Sequence, residues 1–269
     1  MLVNNNKIQR TLSMAEQIAA NLQSRGIIVE VDNGENPVAS FAEVDSIIVL
    51  GGDGTIVRAA RQHLDINVPI LGVNMGTVGF LSNLEADELD QYLDRFLQKD
   101  YHIDERMMLE VEILRDRQTV SRLYGLNEAC VQSHEAHLID LDMRIAGEGY
   151  GNYRADGLII ATPTGSTGYS LSCGGPIVDP QLESFIITPI ASYLLAQRPL
   201  VISAGKDLCL KLVNGTDTFI SMDGQVKVEL KKNDTIIIKR AGTKLKLVNL
   251  KPRDFFATVD SRLKRNKDG

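Results

Sequence analysis

Along the first hundred positions the apolar residues recur with a helical period, interrupted by short continuous apolar runs. Ile8, Leu12, Ala15, Ile18 and Leu22 fall at three- and four-residue steps, which is one face of a helix, and Gly26 is placed to end it. Ile27 to Val31 reads as a short strand. Ser46 to Leu50 and Pro69 to Val73 are near-continuous apolar runs, as expected of strands buried on both faces. Leu89, Leu93, Phe96 and Leu97 mark one face of a helix over 86–98. The first strand is expected to be very short, because only Met1, Leu2 and Val3 precede a run of asparagines. Strands alternating with helices predict an α/β amino-terminal domain with a Rossmann-like parallel sheet over residues 1–102.

From about residue 105 the period changes to two. Residues 226–230 and 244–248 alternate strictly, and 208–212 nearly so. Asn214-Gly215 and Asp223-Gly224 sit between such runs and read as two-residue hairpin turns. The expectation for residues 103–249 is a β-rich, sandwich-like domain of mostly antiparallel strands that binds ligand and oligomerises. After Pro252 the chain turns charged and helical, with Phe255, Phe256, Val259 and Leu263 as an apolar stripe. The tail, 250–269, is expected to return and complete the first domain.

Composition changes this picture only by exclusion. A chain of 269 residues that is 43% hydrophobic and 24% charged is an ordinary globular protein of one large core or two modest ones. A net charge of −6, with basic residues clustered only in the tail at 262–267, weighs against nucleic acid as a partner. No apolar run approaches the roughly 20 residues of a membrane span. The amino terminus has no signal-peptide design. Cys130, Cys173 and Cys209 form no CxxC pair and read as free thiols of a cytoplasmic protein.

The chemistry concentrates in a few loops. Gly51-Gly52-Asp53-Gly54-Thr55 follows a buried strand and opens a helix. Three glycines there let bare backbone N–H groups approach a phosphate. Asp53 is the odd member, since two like charges about 4 Å apart cost roughly 4 kcal/mol at an effective dielectric near 20. A bridging metal ion or a hydroxyl proton to accept accounts for it, and both point to phosphoryl transfer. The loop is neither a dinucleotide fingerprint, with Val57 where the third glycine belongs, nor a P-loop, with no Gly-Lys-Ser/Thr. Asn74 through Phe80 follows the next strand and flanks the same kind of crevice, and Phe80 is either core or a ring for a base. Residues 162–169 are dense in hydroxyls and glycine, suiting a polyhydroxylated or amide-bearing ligand, and lack the G-x-S-x-G elbow of a hydrolase. Asn127-Glu128 can present a donor and two acceptors to a ribose. His134-Glu135-Ala136-His137 is one residue short of a zinc helix motif and carries no metal assignment.

Taken in order, the chain resembles the NAD kinase family. The match runs through Gly51–Thr55, Asn74–Phe80, Leu126-Asn127-Glu128, Arg154–Gly157, Pro163–Tyr169, Gly174–Pro176, Thr188–Ala191, Arg198–Val201 and Asp223-Gly224-Gln225, most of the chain. Glycines around an acid alone are shared with diacylglycerol-type lipid kinases and phosphofructokinases; the Asn-Glu pair and the Pro-Thr-Gly-Ser-Thr segment make the resemblance specific. It implies transfer of a phosphoryl group from ATP, or polyphosphate, to the adenosine ribose 2′-hydroxyl of NAD. It also implies a need for Mg²⁺ or another divalent ion on the donor phosphates, without a direct protein ligand. Members are cytoplasmic homo-oligomers, often tetramers, with no nucleic-acid or membrane partner.

Carried over by position, the resemblance makes Asp53 the catalytic acid-base residue and Gly51, Gly52, Gly54 and Thr55 the donor-phosphate loop, with Gly54 against the ligand. Asn127 and Glu128 would hold the adenosine ribose. Phe80, Thr164, Thr167 and Tyr169 would surround adenine, with Gly168 and Ser170 in the same segment. Asp156 would face the nicotinamide side with Ser172 near it, and Ala191 would reach in from a partner subunit. His137, Arg154 and Gln225 complete the carried-over set. Gly168 stands where the family usually has Ala, and Ser192-Tyr193 where a Pro-His pair is common. The alternatives are a lipid kinase of the same superfamily, which needs an apolar acceptor groove, and a silent nucleotide sensor.

Overall fold

The computed structural model describes residues 1–4, 9–32, 44–76, 79–135, 137–194, 197–252 and 254–265. Ile8 of the first helical stripe, Thr77 and Val78 of the second loop and the side chain of Leu263 lie outside the described residues. The chain divides into two compact units, Met1–Glu105 with Leu245–Gly269, and Arg106–Lys244.

The first unit is built on a largely parallel sheet. Its strands β1 (Leu2–Asn4), β2 (Val31–Asp32), β3 (Ile47–Leu50) and β4 (Ile70–Asn74) lie in the order β2-β1-β3-β4, followed by Leu245–Asn249 and His102–Arg106. All four residues of β3 are buried, as the continuous apolar run requires. Helix α1 (Gln9–Ser24) buries Ala15, Ile18 and Leu22, while Leu12, expected on that face, is 38% exposed. Gly26, at φ +77, lets its N–H reach Gln23 O and so ends the helix. Helix α2 (Asp53–Gln62) follows β3 and packs closely on β4. At Gly72 an added Cβ would lie 2.5 Å from Ile56 Cδ1, so the bare backbone there sets the helix-to-sheet approach. The chain leaves β1 toward β2 on one side and β3 on the other. This topological switch point is where open parallel sheets bind ligands, beyond the carboxyl ends of the strands. The 51–53 loop sits at that edge.

The second unit is two six-stranded antiparallel sheets. One carries strands 148–155, 139–145, 208–214, 235–240, 109–115 and 118–125 in spatial order. The other carries 200–203, 184–190, 157–161, 128–133, 218–222 and 226–229. Both send residues into one core, among them Val111, Leu141, Leu210 and Ile236 from the first and Val131, Leu158, Phe185 and Ile220 from the second. That is the sandwich expected from alternation.

Five local expectations need correction. Residues 27–30 are not strand; only Val31 and Asp32 pair with β1. Residues 86–98 are a short 3₁₀ turn, Ala86–Glu88, and then the helix Leu89–Leu97. Asn214-Gly215 is no hairpin, because strand 208–214 and strand 218–222 belong to different sheets. The alternating run 244–248 is not an antiparallel strand of the second unit. As Leu245–Asn249 it pairs in parallel with β4, Leu247 opposite Ile70. Asp223-Gly224 does turn a hairpin, but the loop is residues 223–225, with Met222 opposite Val226.

Candidate active site

In the first unit, Gly51 and Gly52 turn the chain from β3 into α2, whose first residue is Asp53. Gly51 N–H is held by Val73 O at 3.0 Å, anchoring the turn to β4. The Asp53 carboxylate is gripped by backbone: Phe80 N–H donates to Oδ2 at 2.6 Å and Leu81 N–H to Oδ1 at 3.1 Å. A Cβ on Gly79 would collide with Asp53 Oδ1, so the 79–81 backbone wraps the acid as closely as glycine permits. Asn74 braces the start of that segment. Its amide nitrogen donates to Gly76 O at 3.0 Å and to Glu85 Oε2 at 2.9 Å, and its Oδ1 accepts Gly76 N–H at 3.2 Å. The Phe80 ring lies 6.3 Å from that of Phe255. Gly54 is exposed and Thr55 buried. Gly79 also lines a cavity of about 400 Å³, together with Ser82, Asn83, Lys251, Thr258 and Ser261 among others.

In the second unit, residues 126–128 are held on both edges. The Asp223 carboxylate accepts the N–H groups of Leu126 at 3.0 Å, Asn127 at 2.7 Å and Glu128 at 3.1 Å. Thr162 takes the opposite side, donating its hydroxyl to Leu126 O at 2.5 Å and its N–H to Asn127 O at 2.8 Å. Gly165 N–H in turn donates to the Thr162 hydroxyl at 3.1 Å, and a side chain on Gly165 would overlap Asn127 O. Glu128 is buried, and its Oε2 has no hydrogen-bond partner. Burial, and then the charge of Asp223, push its carboxyl up to about 7. Buried Arg106 donates to Thr164 Oγ1 at 3.4 Å, and Thr167 Oγ1 donates to Thr164 O at 3.3 Å. Tyr169 is half exposed, and Gly168 leaves open the space beside Glu128 Oε2. Ser170 is buried in a 2.8 Å hydroxyl pair with Thr188, a packing role, while Ser172 is exposed.

Asp156 and Ala191 sit at the opposite end of the paired strands, just before strand 157–161 and just after strand 184–190. Glu128 pairs with Ala161, whereas Gly157, next to Asp156, pairs with Ile190, next to Ala191. Five residue steps separate Ala161 from Asp156, roughly 16 Å. Arg154 lies over the Tyr193 ring at 5.5 Å, and Ala191 adopts φ +44. Gln225 is exposed in the 223–225 loop. His137 is exposed with Glu135 at 3.8 Å, and His134 bonds Glu229 at 3.0 Å. Among the described residues no three of His, Cys, Asp and Glu converge on a metal position. Sequence reasoning gave Asp223 no role in the site and did not single out Arg106. Asp223 read as a turn residue, and its partners lie nearly a hundred residues earlier, beyond the reach of any local signal.

Comparison with known proteins identifies the family of the chain. A family model described as the ATP-NAD kinase N-terminal domain matches residues 36–101, and one described as the ATP-NAD kinase C-terminal domain matches residues 126–250. The chain is 39% identical over 267 residues to the NAD kinase of Geotalea daltonii, covering 95% of this chain and 94% of the relative. It is 42% identical over 233 residues to that of Trichlorobacter lovleyi, covering 86% and 81%. Among solved structures it resembles the NAD kinase from Archaeoglobus fulgidus in complex with ATP, with a TM-score of 0.79, 28% identity and 98% of each chain covered. It shares the fold of yeast NADH kinase complexed with NADH, with a TM-score of 0.84, 22% identity and 95% and 84% coverage.

Proposed function

The chain belongs to the NAD kinase family and phosphorylates NAD to NADP, and we propose that Asp53 is the group that accepts the acceptor's proton. Phosphoryl transfer leaves little covalent chemistry for a protein; positioning and charge neutralisation carry most of it. In this reading the N–H groups of the 51–55 loop cradle the phosphates of ATP. The 2′-hydroxyl oxygen attacks the terminal phosphorus in line, its proton passes to Asp53, and the diphosphate leaves. The observation that carries the role is the seat of Asp53. Two N–H groups fix the carboxylate's orientation and occupy one lone pair on each oxygen, leaving the others to receive a proton. The described residues offer no cage of three ligands for a resident metal. This donor set fits Mg²⁺ entering on the donor phosphates as part of that substrate.

Asn127 and Glu128 hold the adenosine ribose, Phe80, Thr164, Thr167, Gly168 and Tyr169 surround adenine, and Asp156 faces the nicotinamide side. The spacing of Glu128 and Asp156, at opposite ends of two paired strands, supports an extended dinucleotide. Ala191, at its strained φ, is proposed to serve a neighbouring subunit of a cytoplasmic homo-oligomer. No helix among the described residues is long and apolar enough to cross a membrane. The test is a coupled assay of NAD, ATP and Mg²⁺ with NADP detected. NADP formation is expected; NAD binding without NADP would make the chain a sensor, and phosphorylation of a diacylglycerol instead would make it a lipid kinase.

A further inference from the structure

Six backbone polar groups belong to residues 126–128, and two residues take all of them. Asp223 accepts all three N–H groups with its carboxylate and donates its own N–H to Glu128 O at 2.9 Å. Thr162 takes Leu126 O and Asn127 O. The turn therefore has no backbone N–H left to offer, and its free donors are those of the Asn127 amide. A three-residue hairpin loop needs no acid at its first position. Asp223 nonetheless occupies it at φ +52, a region that residues with a Cβ use sparingly. Its carboxylate reaches 95–97 residues back along the chain.

We propose that Asp223 is a positioning residue for the acceptor nucleotide: by holding three N–H groups of the 126–128 turn, it presents Asn127 and Glu128 to the ribose. The proposal rests on the reading of Asn127 and Glu128 as the ribose site and deepens it. A second effect follows from the same geometry. The titratable groups that face Glu128 are Asp223, Cys130 and Tyr169. Burial pushes the thiol and the phenol up, and the neighbouring charge that opposes ionisation of Glu128 is that of Asp223. Its charge adds to burial in keeping Glu128 protonated to about 7. Asp223 thus holds the backbone that carries the Glu128 side chain and, second to burial, opposes its ionisation.

The experiment is the pH dependence of kcat and of KM for NAD in the wild type, Asp223→Asn and Glu128→Gln. In the wild type, KM for NAD is expected to step near pH 7, and the step should vanish in Glu128→Gln. Asp223→Asn should raise KM for NAD by roughly tenfold or more, the loss expected when hydrogen bonds to a charged group are weakened. Its kcat at saturating NAD should stay within about threefold, since no contact to the reacting atoms is lost. Its step should move to lower pH, because the charge that opposes ionisation of Glu128 is gone. A uniform KM rise with an unmoved step, or an unchanged KM, would overturn the proposal. Should Asp223→Asn not fold, Asp223→Glu keeps the charge and displaces the carboxylate by one methylene. It should raise KM while the step stays near 7, and an unchanged KM there would equally overturn it. If Glu128→Gln itself leaves KM for NAD and the step untouched, the ribose-site reading fails instead, and the two failures are told apart.

Discussion

Asp53 in the first unit and Glu128 in the second are both acids in glycine-rich surroundings, and the protein treats them oppositely. Asp53 has a backbone N–H on each oxygen. Glu128 is buried with Oε2 bare, and its carboxyl is pushed up to about 7. The amides that serve a carboxylate in the second unit are given to Asp223, not to Glu128. Amide donation stabilises a charge and fixes its direction; bare burial suppresses the charge and leaves the oxygen for a visitor. An acid that must start ionised and aimed at one hydroxyl is served by the first treatment. An acid that must recognise a neutral ribose is served by the second.

The harshest way to break the contrast is Asp53→Asn. General-base help is typically worth about 10²–10⁴ in rate, so turnover should fall by that much while NAD still binds. Steady-state kinetics with NADP detection checks it, and near-normal turnover would remove Asp53 from the reaction. If high Mg²⁺ restores the variant, the acid is mainly an organiser of the metal-bearing donor.

Next in size is Gly79→Ala. The new methyl would overlap Asp53 Oδ1. Either the acid or the 79–81 backbone must shift, and forcing a methyl into such a place costs about 1–3 kcal/mol. Thermal melting should show that loss, and kcat should drop more than KM for NAD rises. A variant with wild-type kcat would show that the amide seat of Asp53 is dispensable.

How much of this could be read in advance depends on how local the signal is. The buried β3 run, the glycine turn into α2 and the sandwich alternation are all written within a few consecutive residues, and the two-part architecture follows from them. Strand direction is not written there. In Leu245–Asn249 the sequence alternates up to Leu247, with Leu245 and Leu247 buried and Lys246 reaching Asn67 O at 3.1 Å, but Val248 is buried as well. Alternation reports one wet face and says nothing about whether the neighbour runs parallel. The supports of the site were invisible for a similar reason. Phe80 and Leu81 hold Asp53 through N–H groups that every non-proline residue carries, and Asp223 reaches its partners only through the fold.

A third test uses stability alone. The folded-state value of Glu128 lies above the ordinary carboxylate value of 4.5. Between those values the folded protein binds more protons than the unfolded chain, so stability falls as pH rises through that window and stays lowered above about 7. Glu128→Gln has no such loss. It should match or exceed the wild type near pH 5 and exceed it by about 2–3 kcal/mol at pH 8, as denaturant unfolding would show. Parallel stability profiles would mean that Glu128 is charged and served by a partner after all, erasing the contrast with Asp53.

The mildest test adds a single methyl to the bare side. Gly168 has φ −95, and a Cβ there would lie 3.3 Å from Gly165 O and 3.4 Å from Glu128 Oε2. The first approach is tight and the second is ordinary contact, so Gly168→Ala should cost no more than about 1 kcal/mol. Its informative effect is electrostatic. The methyl packs against the side of Glu128 that lacks a partner, deepening the desolvation that already dominates its shift. The step in KM for NAD should therefore move to higher pH, opposite in sign to the movement in Asp223→Asn, with kcat almost unchanged. Were the step to stay in place, burial at Oε2 would not be what sets Glu128 apart, and Asp223's charge would carry the difference alone.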